Sequence, residues 1–336
     1  MKSKQTYAIL LALLAAVFYS VSIPVSKVLL GFAGPTMLAA FLYLGAGAGI
    51  GSLFLLRRKP GDRTERLSKS DLPYTIGMIV LDIMAPILLM NGVERTTAAN
   101  VSLLNNFEIA ATALIAFLVF QEKISKRMWA ALFLIILSSA ALSFEGASSL
   151  KFSAGSLMVL GAAACWGLEN NCTRMISAKS TYEIVILKGI FSGTGSLIIA
   201  LAVGETLPSP LIIVAALALG FISYGLSIFA YIRAQNIIGA AKTSAFYAAA
   251  PFIGALFSLA FLHEGLSKMF VIGLIIMTAG SALAVTDTLK YRHCHMHSHT
   301  VYHLHNGTLQ KEIITHEHEH PHIGPGIAHR HIHTGI

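Results

Sequence analysis

From Tyr7 to Thr288 the chain alternates between long apolar stretches and short polar connections, with almost no soluble-type patterning between them. The apolar stretches run roughly over 7–29, 35–56, 72–92, 98–120, 127–145, 154–175, 182–203, 210–233, 241–262 and 269–287. Each is close to the ~20 residues a helix needs to cross the hydrocarbon core of a bilayer. None shows strand-type alternation, and in lipid a spanning segment must satisfy its own N–H and C=O groups, so all ten are predicted to be helices. The first stretch follows Met1, Lys2 and Lys4 in the manner of a signal peptide. Its apolar run is long and has no convincing small-residue cleavage site, so it is predicted to be retained.

Composition sharpens this picture. The chain is 55% apolar and 12% charged, with 28 Gly, a balance that suits close helix approach in a membrane and excludes a soluble enzyme of this length. The net charge of +8 is mostly a topology signal. Lys2, Lys4, Arg57, Arg58, Lys59, Arg63, Arg66, Lys69, Lys123, Lys126, Arg127, Arg174, Lys179, Lys290 and Arg292 all fall on one side of the ten-helix layout, against scattered cations such as Arg95, Lys151 and Lys268 on the other. Cytoplasmic loops carry the excess of Lys and Arg, so both termini are predicted to lie in the cytoplasm of a multi-pass cell-membrane protein. No basic soluble domain exists to bind nucleic acid. Cys165, Cys172 and Cys294 are expected to be free thiols, since no paired cysteines stand in loops.

The chain also resembles itself. Gln121-Glu122-Lys123-Ile124-Ser125 and His263-Glu264-Gly265-Leu266-Ser267 close the fourth and ninth stretches, 142 residues apart. In that register Ala98-Ala99-Asn100-Val101-Ser102 faces Ala240-Ala241-Lys242-Thr243-Ser244, and Ala113-Leu114 faces Ala255-Leu256. Tyr19-Ser20 and Lys27 face Trp166-Gly167 and Arg174 at a spacing of 147. Two five-helix halves, 6–145 and 153–287, are predicted, followed by a tail over 288–336. An odd number of helices per half makes the second copy enter from the opposite side, an inverted repeat of the kind found in secondary transporters. Glu122 is then expected inside and Glu264 outside.

These residues carry a family resemblance. A Trp-Gly in the first helix of a half with a cation eight residues after the Trp, and the run Gly239-Ala-Ala-Lys-Thr-Ser…Ala250-Pro251…Leu262-His-Glu-Gly-Leu-Ser267, resemble the EamA-type branch of the drug/metabolite transporter superfamily over about residues 6 to 287. The resemblance implies an all-α integral membrane fold of ten helices in two inverted repeats. It also implies movement of small metabolites, often export of amino acids, bases or toxic compounds. Two positions depart from the pattern: Ile109 stands where the second half has Pro251, and Tyr19-Ser20 replaces Trp-Gly. Both bear on the flexibility of the first half.

Ionisable side chains at membrane depth are costly and tend to mark pathways. Asp82, Glu108, Glu169 and Lys188 are the deep ones, with Glu183, Arg174 and Arg233 nearer the ends. Helical spacing groups Ser102, Asn105, Glu108 and Thr112 on one face, and Trp166, Glu169, Asn170 and Thr173 on another. Lys188, Ser192 and Gly195 share a third, Tyr224, Ser227 and Tyr231 a fourth, and Ser244, Tyr247 and Pro251 a fifth. Together these faces suit a wet central cavity, with Tyr19, Trp166, Tyr231 and Tyr247 as an aromatic cage. The bland alternatives are helix-to-helix hydrogen bonds for Asn105, Ser192 and Ser244, and aromatic packing. For Glu108 the alternatives are proton coupling and a buried pair with Lys188; for Asp82, satisfaction of backbone groups freed by Pro86. Glu122 and Glu264 suit helix termini, each beside a Ser that caps the next helix. Pro24, Pro86 and Pro251 lie inside stretches, where they promote kinks.

Composition changes after Lys290, where thirteen of the fourteen His lie, only His263 preceding them. The tail is predicted to be largely disordered. His293, His295, His297 and His299, then His316, His318, His320 and His322, place imidazoles at alternate positions, and His329, His331 and His333 continue the pattern. Neutral imidazole ligates Zn, Ni, Co and Cu, so the tail is expected to bind a transition metal, as a buffer, a sensor or a collector.

The sequence therefore points to a secondary carrier for a small polar metabolite, working by alternating access and coupled to protons through Glu108 or Glu169. A transition-metal or metal-chelate carrier fed by the tail is the alternative. No nucleotide-binding Gly-rich run and no matched nucleophile and base suggest a pump or an enzyme. A sensor, monomeric or homodimeric, is the rival of a different class.

Overall fold

The computed structural model describes residues 2–57, 67–121, 124–146, 149–176, 179–238, 243, 246–288, 291–305 and 308–322. The membrane region is helical throughout. Its first half comprises α1 (Lys2–Ser20), α2 (Ser22–Leu29), α3 (Pro35–Arg57), α4 (Leu72–Arg95), α5 (Ala98–Leu104), α6 (Phe107–Phe120) and α7 (Lys126–Leu142). The second comprises α8 (Ala154–Met175), α9 (Thr181–Leu187), α10 (Gly193–Ala202), α11 (Pro210–Gly220), α12 (Ser227–Ile238), α13 (Ala250–Leu262) and α14 (Lys268–Thr288). Between them β1 (Phe144–Gly146) pairs antiparallel with β2 (Ser149–Phe152), so the fifth helix stops short of its expected end. Wider π-helical turns over Lys188–Ser192 and Phe221–Leu226 join α9 to α10 and α11 to α12.

Among the described residues seven helical runs are long and apolar enough to cross a membrane: Thr6–Leu29, Pro35–Leu56, Lys69–Arg95, Ala98–Val119, Thr181–Ala202, Pro210–Tyr231 and Lys268–Asp287. At the remaining expected spans stand α7 at 17 residues, α8, whose inner turns carry Glu169, Asn170 and Asn171, and α13 at 13 residues. The surface is inside out relative to a soluble protein. Asp82 is 0% exposed while Leu211 is 77% and Leu118 72% exposed, as expected where lipid rather than water surrounds the bundle.

Local signals start and stop these helices as the residue types dictate. Ser125 and Ser267 each accept a backbone N–H three residues on, from Met128 and Phe270, both at 3.0 Å. Glu264 serves a helix terminus, but on a distant helix: its carboxylate accepts the N–H groups of Ala98 and Ala99 at 2.7 and 2.8 Å, opposite the partial positive charge of the α5 N-terminus. Glu205 does the same for α3, accepting from Thr36 and Met37 at 3.0 and 2.7 Å. Pro24 and Pro251 sit in the first turns of α2 and α13, each just after a break, whereas α4 continues through Pro86. Glu122, Ser244 and the residues from 323 onward lie outside the described residues.

The repeat is visible in backbone detail. α6 and α13 both end on a left-handed residue, Gln121 and His263, each with φ 53° and 142 residues apart. The packing partners exchange between halves: α4 lies on α8 as α12 lies on α1, and α6 lies on α8 as α13 lies on α1. α3 packs on α10 and α7 on α14, joining equivalent helices directly. The α3 contact is very close, since a Cβ on Gly189 would lie 2.3 Å from the nitrogen of Gly47. Only glycine lets these backbones approach so nearly.

Among the described residues of the tail, β3 (Tyr291–His305) pairs antiparallel with β4 (Thr308–His322). Charge and low apolar content argue against a packed core here, but the alternate placement of residue types has the two-residue period of a strand. The dipeptide separating the strands in sequence is Asn306-Gly307, the strongest short-range hairpin signal.

Candidate functional site

Three carboxylates and one ammonium meet inside the bundle. The ammonium of Lys188 lies 2.9 Å from Oε1 of Glu169 and 3.2 Å from Oδ2 of Asp82. Lys188 opens the π-helical turn between α9 and α10, next to Gly189, so the close α3 contact fixes the backbone that carries it. Turns of this kind recur at functional sites. The hydroxyl of Tyr43 donates to Oδ1 of Asp82 at 3.0 Å, and the indole N–H of Trp166 donates to that hydroxyl at 3.3 Å. Oδ2 of Asp82 accepts no hydrogen bond, its contact with Lys188 being an ion pair of oblique geometry. Thr173 donates to Oε1 of Glu169 from the next turn of α8.

Glu108 stands one step away. Nδ2 of Asn170 donates to its Oε1 at 2.7 Å and reaches Oγ1 of Thr112 at 3.3 Å, binding α8 to α6. The expected alternative pairing of Lys188 with Glu108 is thus replaced: Lys188 serves Glu169 and Asp82, and Glu108 faces an amide. The helix that carries Glu108 is discontinuous, α5 ending at Leu104 and α6 beginning at Phe107. Both residues of the break, Asn105 and Asn106, are buried, and among the described residues neither end of either amide has a hydrogen-bond partner. The first half breaks here although it has Ile109 and not the proline of the second half. Asparagine side chains compete with a helix's own backbone bonds, which accounts for a break without proline.

Aromatic rings fill the space beside the ionic cluster. Tyr19 lies 5.8 Å from both Tyr224 and Tyr247, Tyr43 is 5.5 Å from Tyr224, and Tyr231 is 5.2 Å from Tyr247, measured between ring centres. The hydroxyl of Ser22 donates to that of Tyr224 at 3.3 Å. The expected cage of Tyr19, Tyr231 and Tyr247 is therefore assembled, while Trp166 joins it only through Tyr43.

Several expected pathway residues have structural work instead. Ser102 donates to the carbonyl of Ala98 in its own helix, and Ser192 to that of Ile79 at 3.2 Å. Ser227 bonds the carbonyl of Ala15, tying α12 to α1. Tyr43, Asn106 and Asn171 were not legible as site residues. Tyr43 sits in an unbroken apolar run, and Asn171 differs from Asn170 only in facing the carbonyls of Thr112 and Gly167. A cavity of about 570 Å³ opens elsewhere, between Lys27, Glu94, Asn100, Ser156 and Glu264, and no residue of the ionic cluster lines it. Cys165 and Cys172 are free thiols as expected. Among the described side chains no group of three or more His, Cys, Asp or Glu is placed to hold a metal ion.

Side-chain contacts tie the connections together at each end of the bundle. Leu67 bonds Glu183, Asp71 pairs with Lys179, and Ser125 bonds Asp287. At the other end Lys27 donates to the carbonyls of Val93 and Thr96 at 2.5 and 2.8 Å, beside the contacts of Glu205 and Glu264.

Known proteins agree with this architecture. An uncharacterized transporter from Methanothermobacter thermautotrophicus (strain ATCC 29096 / DSM 1053 / JCM 10044 / NBRC 100330 / Delta H) is 28% identical over 287 residues, covering 79% of this chain and 82% of that protein. A chain solved by crystallography shares the fold with a TM-score of 0.60 at 16% identity, over 84% of this chain and 97% of its own length. The EamA-like transporter family model matches twice, over 6–144 and 153–286, the two halves separated by the β1–β2 connection. Its members are transporters and not enzymes, and with both repeats matched this multi-pass membrane protein belongs to the EamA-like transporter family.

Proposed function

We propose that this transporter is a secondary carrier that exports a small polar metabolite, an amino acid, base or toxic compound, by alternating access of two inverted halves. The observation that carries the proposal is the imbalance of charge in the interior. Among the described residues Asp82 and Glu169 share the ammonium of Lys188, while Glu108 stands nearby on the amide of Asn170. Surplus carboxylate in a low-dielectric interior must be neutralised by a proton or by a cationic group of the solute. Exchange of one for the other couples export to proton entry, with Glu108 the exchanging group because among the described residues it pairs with the amide of Asn170 and not with a cation. The unpartnered amides of Asn105 and Asn106 and the tyrosines provide polar and apolar contacts for the solute. Discontinuous helices at equivalent places in the two halves, broken at 105–106 and again before Ala250, support a binding site there. The exchange of packing partners between halves supports the two-fold relation that alternating access requires.

The test has two stages. Thermal stabilisation of the purified protein by amino acids, nucleobases or polyamines identifies the solute class. In liposomes, a proton gradient should then drive its flux in the wild type and not in Glu108→Gln, which should remain folded. Equal pH-driven flux in both would remove Glu108 from coupling.

A further inference from the structure

The hairpin of the tail places all ten of its histidines on one face. In the antiparallel register His293 stands opposite His320, His295 opposite His318 and His297 opposite His316. His322 stands opposite Tyr291, His299 opposite Ile314, His303 opposite Gln310 and His305 opposite Thr308. Every histidine of β3 is at an odd position and every one of β4 at an even position, and the register opposes odd to even throughout. Residues directly opposite share a face of a ribbon, and so do residues two apart along a strand. A register shifted by one residue would instead put the six histidines of β3 and the four of β4 on opposite faces.

The other face carries a different set. Cys294 opposes Glu319, Met296 opposes Glu317 and Tyr302 opposes Lys311. The segregation therefore belongs to the pairing and not to composition alone.

From this placement we infer that the hairpin is a transition-metal site, in which two adjacent histidine rungs supply four imidazoles to one divalent ion of the zinc, cobalt or nickel type. Opposed Cβ atoms in such a ribbon are ~4.5–5.5 Å apart. Successive rungs on one face repeat every ~6.8 Å, twice the rise of a strand residue. Imidazole nitrogens reach a shared ion at ~2.0–2.1 Å from Cβ atoms at those spacings, and four nitrogens match tetrahedral coordination. His295 and His318 form the central rung, so they belong to either choice of neighbouring rungs. An isolated two-stranded hairpin is marginal in water, and an ion joining the two strands adds its binding free energy to the folding of the ribbon. The site is separate from the solute site in the bundle and independent of what the bundle carries.

The experiment titrates Co²⁺ into the full-length protein and reads the visible absorption of tetrahedral cobalt, with Zn²⁺ as competitor. Four proteins are compared: wild type, His295→Gln with His318→Gln, His329→Gln with His331→Gln, and wild type with one extra glycine inside β3, between Val301 and Tyr302, which offsets the three histidine rungs by one residue. The wild type should show the tetrahedral band, lost on adding Zn²⁺ and lost at pH 5, where imidazoles with their ordinary pKa of about 6.5 hold protons. Removing the central rung should weaken Co²⁺ binding by more than the roughly 10–100-fold that disturbing outer-shell partners alone costs. Removing the same number of histidines at 329 and 331 should leave it unchanged. The glycine insertion keeps all fourteen histidines and should abolish the tetrahedral band. Trypsin cleavage after Lys311 should slow with Zn²⁺ in the wild type and in the variant at 329 and 331, and not in the other two proteins. A wild type without the tetrahedral band, a band that survives the insertion, or equal losses in the two double variants would each overturn the ladder.

Discussion

The two halves of the bundle share a backbone plan and differ in chemistry. Where α8 meets α4 the contact is ionic, Glu169 and Asp82 held by Lys188. Where α2 meets the turn between α11 and α12 it is a hydroxyl pair, Ser22 and Tyr224 at 3.3 Å. The repeat spacings relate them: Ser22 and Glu169 are 147 residues apart, as are Tyr19 and Trp166, while Asp82 and Tyr224 are 142 apart, as are Gln121 and His263. One of two equivalent interfaces, each built from both halves, therefore has charges where the other has a phenol and a serine. The shared backbone plan tolerates this asymmetry because backbone contacts such as that of Gly189 with Gly47, not the site side chains, set helix spacing. The ionic face is suited to charge exchange and the aromatic face to holding the organic part of a solute.

That division breaks most severely at Lys188. Replacing it by methionine leaves Asp82 and Glu169 buried without a cation, and removing one member of a buried pair costs about 3–5 kcal/mol. Lys188→Met is expected to lower the melting temperature strongly and abolish flux, and adding Glu169→Gln should restore part of the stability but not the flux. Full stability in the single variant would mean that the ion pair is not formed. A smaller loss is expected from Gly189→Ala, which places a Cβ 2.3 Å from the Gly47 nitrogen. Overpacking of this kind costs about 1–3 kcal/mol, and because it acts on the shared backbone it should impair both proton-driven flux and solute binding. The mildest change is Tyr224→Phe. It removes one hydroxyl contact worth about 0.5–1.5 kcal/mol and should raise the KM for the solute while leaving the pH dependence of flux as it was. A changed pH profile there would erase the distinction between the two faces.

Much of the site was legible because deep polar residues are rare in lipid and stand out one by one. Asp82, Glu108, Glu169, Asn170 and Lys188 stood out against apolar neighbours; of the expected face of Trp166, Glu169, Asn170 and Thr173, Thr173 bonds Glu169 while Asn170 bonds Glu108 and Trp166 bonds Tyr43. Ser102 and Ser192 show the limit of that method, since a serine on a polar stripe can return its hydrogen bond to a nearby backbone carbonyl. Tyr43 marks the opposite failure. Flanked by Leu42 and Leu44, it reads as one more apolar residue until the partner of its hydroxyl is known.

By itself the sequence determined the membrane setting, the helical content, the two-fold repeat and the set of ionisable groups that matter. These follow from local rules: length against bilayer thickness, backbone satisfaction without water, and the high cost of charge in lipid. Tertiary structure alone decided who pairs with whom. Lys188 chooses Asp82 and Glu169 over Glu108 because a glycine contact between α3 and the turn at Gly189 sets where its backbone sits. Likewise the alternate histidines of the tail are visible in the sequence, but their gathering on one face depends on a strand register that a single residue would reverse.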